Sequence, residues 1–402
     1  MLETHRAPAY LQIVRPLLVF VVLSTVLCHA QAQEDASLFR IRAALLPLRG
    51  QPGELDTRGG RPQLTEIKHQ LRAWVESRLQ DFPAGGDEHT LELRLNAEIT
   101  SAKLRCSYSE TAPKNESCGE GAAISLLGFL ADVDLRRPPA VPSKVYLVVT
   151  TGVGVVCGKD ESAYLYEWTD DRWQLRWQSE QNVYTKEKYR PRAVDTVLVS
   201  PRPSGDSLVL SLGHGEWCTS SFNNLYYSLW RTGGSQPKLL LDGFEAGRAW
   251  EGSIGGALTA TEAAIRYGNM RDDLVIRRYL IGADDSVHRV QPVAFNPQLF
   301  AAEWLRRDWA EAREWSEPSV REGLRQQHMA HHKDSLLGGE YPNSTMHCPG
   351  SPDLWQVFNE AGYFLIRWKP PYRFTMVRMT NSASPNCNEP DPEADRTILL
   401  PR

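Results

Sequence analysis

The sequence predicts a mainly β fold made of degenerate β-propeller-like repeats of about four strands, with an N-terminal helix and an inserted helical pair. Three observations carry this. A hairpin pattern at residues 144–178 recurs three times downstream, each copy turns through Asp, Gly or Pro, and helical periodicity is confined to two places. A multi-sheet β-sandwich is the alternative, since any run of hairpins carries the same local pattern.

The first copy is the clearest. Residues 146–150 (YLVVT) form a β-branched and aromatic run, and 163–168 (AYLYEW) form a second that ends at Thr169, Asp170 and Asp171. Residues 172–177 (RWQLRW) then alternate large and polar side chains, the mark of an antiparallel hairpin with unlike faces. The second copy reads VDTVLVS (194–200), SLVLSLG (207–213), a polar stretch (214–221), then LYYSLW (225–230) turning through Gly233 and Gly234 into KLLLD. The third runs SIGGALT, AAIRYG, a loop at 269–273, then LVIRRYLIG turning at Asp284 and Asp285 into VHRVQPVAF. The last has DLWQVF and GYFLIRW (362–368), which turns through Lys369, Pro370 and Pro371 into YRFTMVRM.

Around these copies the chain divides into five stretches. Residues 1–32 read as a signal peptide: Arg6 and Arg15 precede the apolar run 16–28, and Ala30 and Ala32 are the small residues of a cleavage site. Residues 33–89 hold a linker and a helix, with Thr65 as N-cap and a stripe of Ile67, Leu71, Trp74, Val75 and Leu79. The β-repeat domain spans 90–295, opening with expected strands at 90–99 (TLELRLNAEI) and 123–135. At 296–340 Asn296 caps and Pro297 opens one helix, whose Ala301, Leu305, Trp309 and Ala312 share a face; Ser319 and Glu322 form a capping box for a second. Residues 341–402 are a C-terminal hairpin and tail.

A leader of this kind sends the protein out of the cytoplasm, to the periplasm or the medium, without a membrane anchor once cleaved. Its loss takes Glu3, Arg6 and Arg15 from the 45 basic and 49 acidic residues, leaving 43 against 48. That slight acidity argues against nucleic acid or an anionic membrane as partner. Loss of Cys28 leaves six of the seven cysteines, an even number that fits disulfides in an exported chain. Spacing pairs Cys106 with Cys118, Cys157 with Cys218 and Cys348 with Cys387.

The loop between the second and third strands of each copy is expected on one face of a propeller-like fold. GKDES (158–162), GHGEWCTS (213–220) and GNMRDD (268–273) would then bring Asp160, Glu161, His214, Glu216, Trp217, Arg271, Asp272 and Asp273 to one surface. Such a rim suits a cation, a sugar or a polar peptide. His328, His331 and His332, spaced three and four apart on the second inserted helix, are candidate metal ligands, with Asp334 or His347 as a further donor. The same spacing fits hydrogen-bonded histidines on a half-buried helix face.

No nucleotide-binding glycine loop, GxSxG elbow, HExxH or CxxC motif is present, and nothing calls for a cofactor. The reading is therefore an exported binding or scaffold module that recognises a polar ligand or a protein partner through one loop face. Two rivals remain: a secreted glycoside-type hydrolase with paired carboxylates in the same loops, and a metal-binding protein.

Overall fold

A computed structural model of the chain describes residues 37–44, 60–102, 104, 129–136, 144–155, 158–180, 192–215, 222–250, 253–268, 274–335, 344–359, 361–369 and 373–390. The expected signal peptide lies outside them. So do Cys106, Cys118, Cys157 and Cys218. The chain forms two compact units, Met1–Arg137 with Ser143–Ala193, and Pro138–Pro142 with Val194–Arg402. The division at 193/194 runs through the stretch expected as one β-repeat domain.

The first unit joins three helices to a four-stranded sheet: α1 (37–44), α2 (Gly60–Leu79), α3 (Glu88–Ser101), β1 (Phe129–Arg136), β2 (Tyr146–Val155), β3 (Gly158–Thr169) and β4 (Arg172–Ser179). The strands pair in chain order as an antiparallel meander. All five stripe residues of α2 are buried. They pack with Leu38 and Ile41 of α1, with Leu91, Leu95 and Ile99 of α3, and with Leu147, Val149, Tyr164 and Tyr166 of the sheet. Helix α2 begins at Gly60, upstream of the expected cap Thr65; Pro62 is tolerated there because the first-turn amides have no helical acceptor.

Residues 90–99, expected as a strand, are helix α3. TLELRL alternates, but Leu91, Leu95 and Ile99 also recur every four residues, and these are the buried positions. Asp87 decides the conflict by capping the helix, its carboxylate accepting from the Thr90 amide at 3.1 Å. The β3–β4 hairpin forms as expected. Asp170 and Asp171 take positive φ of 54° and 58°, the conformation a two-residue turn needs to match the twist of its strands.

Among the described residues the second unit contains three sheets. One is β5 (Arg192–Pro201), β6 (Ser207–Gly215), β7 (Phe222–Thr232) and β8 (Lys238–Trp250) in chain order. The next is β9 (Gly255–Leu258), β10 (Glu262–Gly268), β11 (Leu274–Ile281) and β12 (Val287–Val290), again a meander. These two share a core in which Leu208, Leu210, Leu212, Leu225 and Leu229 meet Ala263, Ile265, Tyr267 and Tyr279. The protein is thus mainly β, with four antiparallel sheets among the described residues.

Helices α4 (Pro297–Arg306) and α5 (Trp309–Glu314), a 3-10 turn at Pro318–Val320 and α6 (Arg321–Ser335) follow. The final sheet comprises β13 (Ser344–His347), β14 (Leu354–Asn359), β15 (Gly362–Lys369), β16 (Arg373–Thr380) and the two-residue β17 (Glu389–Pro390). The helices cover this sheet through Phe300, Trp304, Leu305 and Leu324, which pack on Val357, Phe364, Ile366 and Met376. Its edge strand β16 is occupied as well: Trp315 and Glu317 bond the backbone of Met376, and the Gln291 side-chain amide exchanges two hydrogen bonds with Phe374. Cys348 and Cys387 are bonded, as their spacing suggests, and hold the chain that leads into β17 beside β13.

Two expectations for the helical pair are corrected. The first helix breaks at Arg307, which is extended at ψ 155° and turns back toward Glu303. Ser319 lies inside the 3-10 turn and α6 starts after it, so Ser319 and Glu322 do not form a capping box.

Candidate functional site

The three expected loops have the same topological address, between the second and third strands of their sheets, but their residues differ in environment. Asp160 and Glu161 lie in strand β3. Neighbouring strand residues project to opposite faces, so the two carboxylates do not form a pair. Asp160 faces the helices and is fully buried, its carboxylate 2.7 Å from the ammonium of Lys68 on α2. Glu161 lies across Gly152, in space that a side chain there would occupy, with the Lys159 ammonium 3.7 Å away. Glu216, Trp217, Arg271, Asp272 and Asp273 lie outside the described residues.

His214, near the end of β6, has a defined setting. It continues the inward row of Leu208, Leu210 and Leu212, and its Nδ1 is 2.9 Å from both carboxylate oxygens of Asp195 on β5. A carboxylate there holds the ring in one orientation and favours the Nδ1–H tautomer. Across the hairpin Gly215 pairs with Asn224, and both Asn223 and Asn224 are buried. The Asn223 side-chain oxygen has no hydrogen-bond partner among the described residues. Polar groups thus close the end of an apolar core, beside a segment that carries Glu216 and Trp217. The signal available in sequence was Asp195, which breaks the run AVDTVLV on the strand before His214.

The histidines of α6 serve α4. His328 is fully buried, donates from Nε2 to the Trp304 carbonyl at 3.1 Å, and packs edge-on against the Trp304 ring at 4.9 Å. His332 donates from Nδ1 to the Leu305 carbonyl at 2.8 Å and stacks on His328. Both bonds satisfy carbonyls near the end of a helix, which helps to stop α4 there. Burial, then the adjacent His332, push the His328 imidazole below its ordinary value, so its neutral form is favoured. His331 is partly exposed, and His347 sits on β13 with Nε2 3.4 Å from the Pro352 carbonyl. Among the described residues, no group of three or more His, Cys, Asp or Glu is placed to hold a metal ion.

A cluster of buried arginines and glutamates was missed in the sequence. Arg277 of β11 lies between Val275 and Tyr279 on the inner face of its sheet and is buried. Its Nε donates to Glu245 at 3.0 Å, Nη2 to the Tyr267 hydroxyl at 3.2 Å, and Nη1 lies 2.9 Å from Glu303 of α4. Arg289 of β12 reaches the same Glu303 oxygen at 3.0 Å, and Arg307 approaches it at 3.4 Å. Burial alone would raise the Glu303 carboxyl, but Arg277, Arg289 and Arg307 hold it far below the usual carboxylate range. The signals were present: LVIRRYLI has adjacent arginines, so strand alternation turns one of them inward, and Glu303 interrupts the apolar run LFAAEWL.

No family model matches the chain, and no curated protein shows significant similarity to it.

Proposed function

We propose that the protein is an exported binding module that recognises a polar ligand or a protein partner at the β6–β7 end of its second sheet, without turnover. The observation that carries this is the His214–Asp195 pair. A buried imidazole, oriented by a carboxylate and followed at once by polar and aromatic residues, provides directional hydrogen bonding at the edge of an apolar core. Within the second unit, the β5–β8 and β9–β12 meanders fit propeller-like blades, in which the β6–β7 and β10–β11 connections open on one face. The signal-like leader and the Cys348–Cys387 bond support export.

The hydrolase alternative loses its simplest form, because Asp160 is committed to Lys68 and Glu161 projects from the other face of β3. A retaining glycosidase needs two carboxyl groups about 5 Å apart across one bond. Binding of the mature chain to glycan and peptide arrays, compared with His214→Ala, tests the proposal. Signals lost at least tenfold in the variant, with the captured ligands intact, are expected. Equal binding by both proteins would remove His214 from the site, and cleaved ligands would return the enzyme reading.

A further inference from the structure

The arginine cluster of the second unit is short of acceptors. Three guanidinium groups converge on the buried Glu303 and the largely buried Glu245, and a single oxygen of Glu303 serves Arg277, Arg289 and Arg307. A third acid, Glu311, sets its buried Oε2 4.0 Å from Arg307. What the cluster lacks is acceptors for all of its N–H groups. The group that carries the shortfall is Arg289: its side chain is fully buried, and its Nε and Nη1 have no hydrogen-bond partner among the described residues. One face of the guanidinium is closed by the Trp315 ring, 5.5 Å from its centre, and Nη2 is taken by Glu303. Arginine stays charged in proteins, so it cannot relieve the shortage by losing its proton. Buried N–H groups of a charged side chain that lack acceptors are expensive, and structures normally supply a partner.

We infer that this cluster is an internal binding site for a small monovalent anion, a halide or a carboxylate, held by the Nε and Nη1 donors of Arg289. The class follows from the donors. Two adjacent N–H groups of one guanidinium suit a small monovalent acceptor; a divalent anion would set a second full negative charge beside Glu303. The site stands apart from the His214 proposal and does not depend on it. It gives the second unit a reason to place Arg277, Arg289 and Glu303 in an otherwise apolar interior: the anion completes a junction between β11, β12 and α4.

The test uses the full mature chain. Melting temperature is measured at fixed ionic strength while chloride replaces gluconate, with a parallel series in acetate, for wild type and Arg289→Gln; wild-type crystals are grown with bromide. A saturable rise with chloride that the variant lacks, together with an anomalous bromide peak in contact with Arg289, is the expected result for a halide. A saturable rise with acetate, absent in the variant, with planar density at Arg289 in place of the bromide peak, would assign the carboxylate source. If Arg289→Gln does not fold, the wild-type crystals decide alone. Ordered water only at Arg289, or salt responses identical in the two proteins, would overturn the inference.

Discussion

Two buried ionisable residues show how the same side-chain chemistry is used for opposite ends. Lys68 and Asp160 are both removed from water and compensate one another at 2.7 Å. Removing one leaves a charge buried without a partner, so Lys68→Met is expected to lower unfolding free energy by about 3–5 kcal/mol, whereas Lys68→Met with Asp160→Leu recovers most of that loss. Urea titration of the three proteins checks this. His328 is buried as a neutral base. Its folded pKa lies below the unfolded value of about 6.5, so the unfolded state takes up the proton first and stability falls as pH drops from 7 through that value. His328→Gln keeps a donor for the Trp304 carbonyl but cannot titrate. Melting measured from pH 7 to pH 5 should fall less steeply in the variant than in wild type. The role of Asp160 was not legible in sequence, where it looked like a loop residue, whereas the spacing of His328 pointed to a hydrogen-bonded place on a half-buried helix face ahead of a metal ligand. What decides each is the partner, 92 residues away for Asp160 and 24 for His328.

The elements were most readable where one pattern acted without competition. Hairpin β3–β4 shows period 2 on both arms and a turn sequence that tolerates positive φ, and it forms as read. Helix α3 carried two periods at once, and only the cap at Asp87 and the helix-facing core separate them. The segment 158–162 failed for a different reason: GKDES is polar enough for a loop, yet its Asp is neutralised by α2 and the backbone continues as strand. Close packing adds a constraint that residue patterns do not reveal. Gly243 of β8 pairs with Tyr227 of β7, and a Cβ added there would lie 2.0 Å from that ring. The ring is buried and its hydroxyl is 3.3 Å from that of Tyr279, so it has little room to yield. Gly243→Ala should therefore cost about 1–3 kcal/mol, the range for overpacking a filled core, and denaturant melts of the variant beside wild type measure it.

At the scale of the molecule, each unit has its own apolar core. In the second, the chain after β16 adds the two residues of β17 to its sheet, and the Cys348–Cys387 bond fixes that return across a separation of 39 residues. A loop of that size corresponds to about 4 kcal/mol of unfolded-state entropy, so the Cys348→Ser, Cys387→Ser protein should melt below the wild type when both are measured without reductant. The mainly β class and the helical pair were visible from periodicity because both are local. The division at 193/194 and the arginine cluster were not, because Glu245, Arg277, Arg289 and Glu303 come together only once two sheets and a helix are assembled.

The central claim is recognition without turnover at His214. It is tested most directly by following the His214 imidazole resonance in a specifically labelled mature chain during titration with a panel of neutral sugars, amino acids and short polar peptides. A saturable shift of that resonance by at least one member, abolished by Asp195→Asn and with the ligand recovered unchanged, is the predicted result. A resonance unmoved by the whole panel, or a ligand recovered cleaved, would contradict the account.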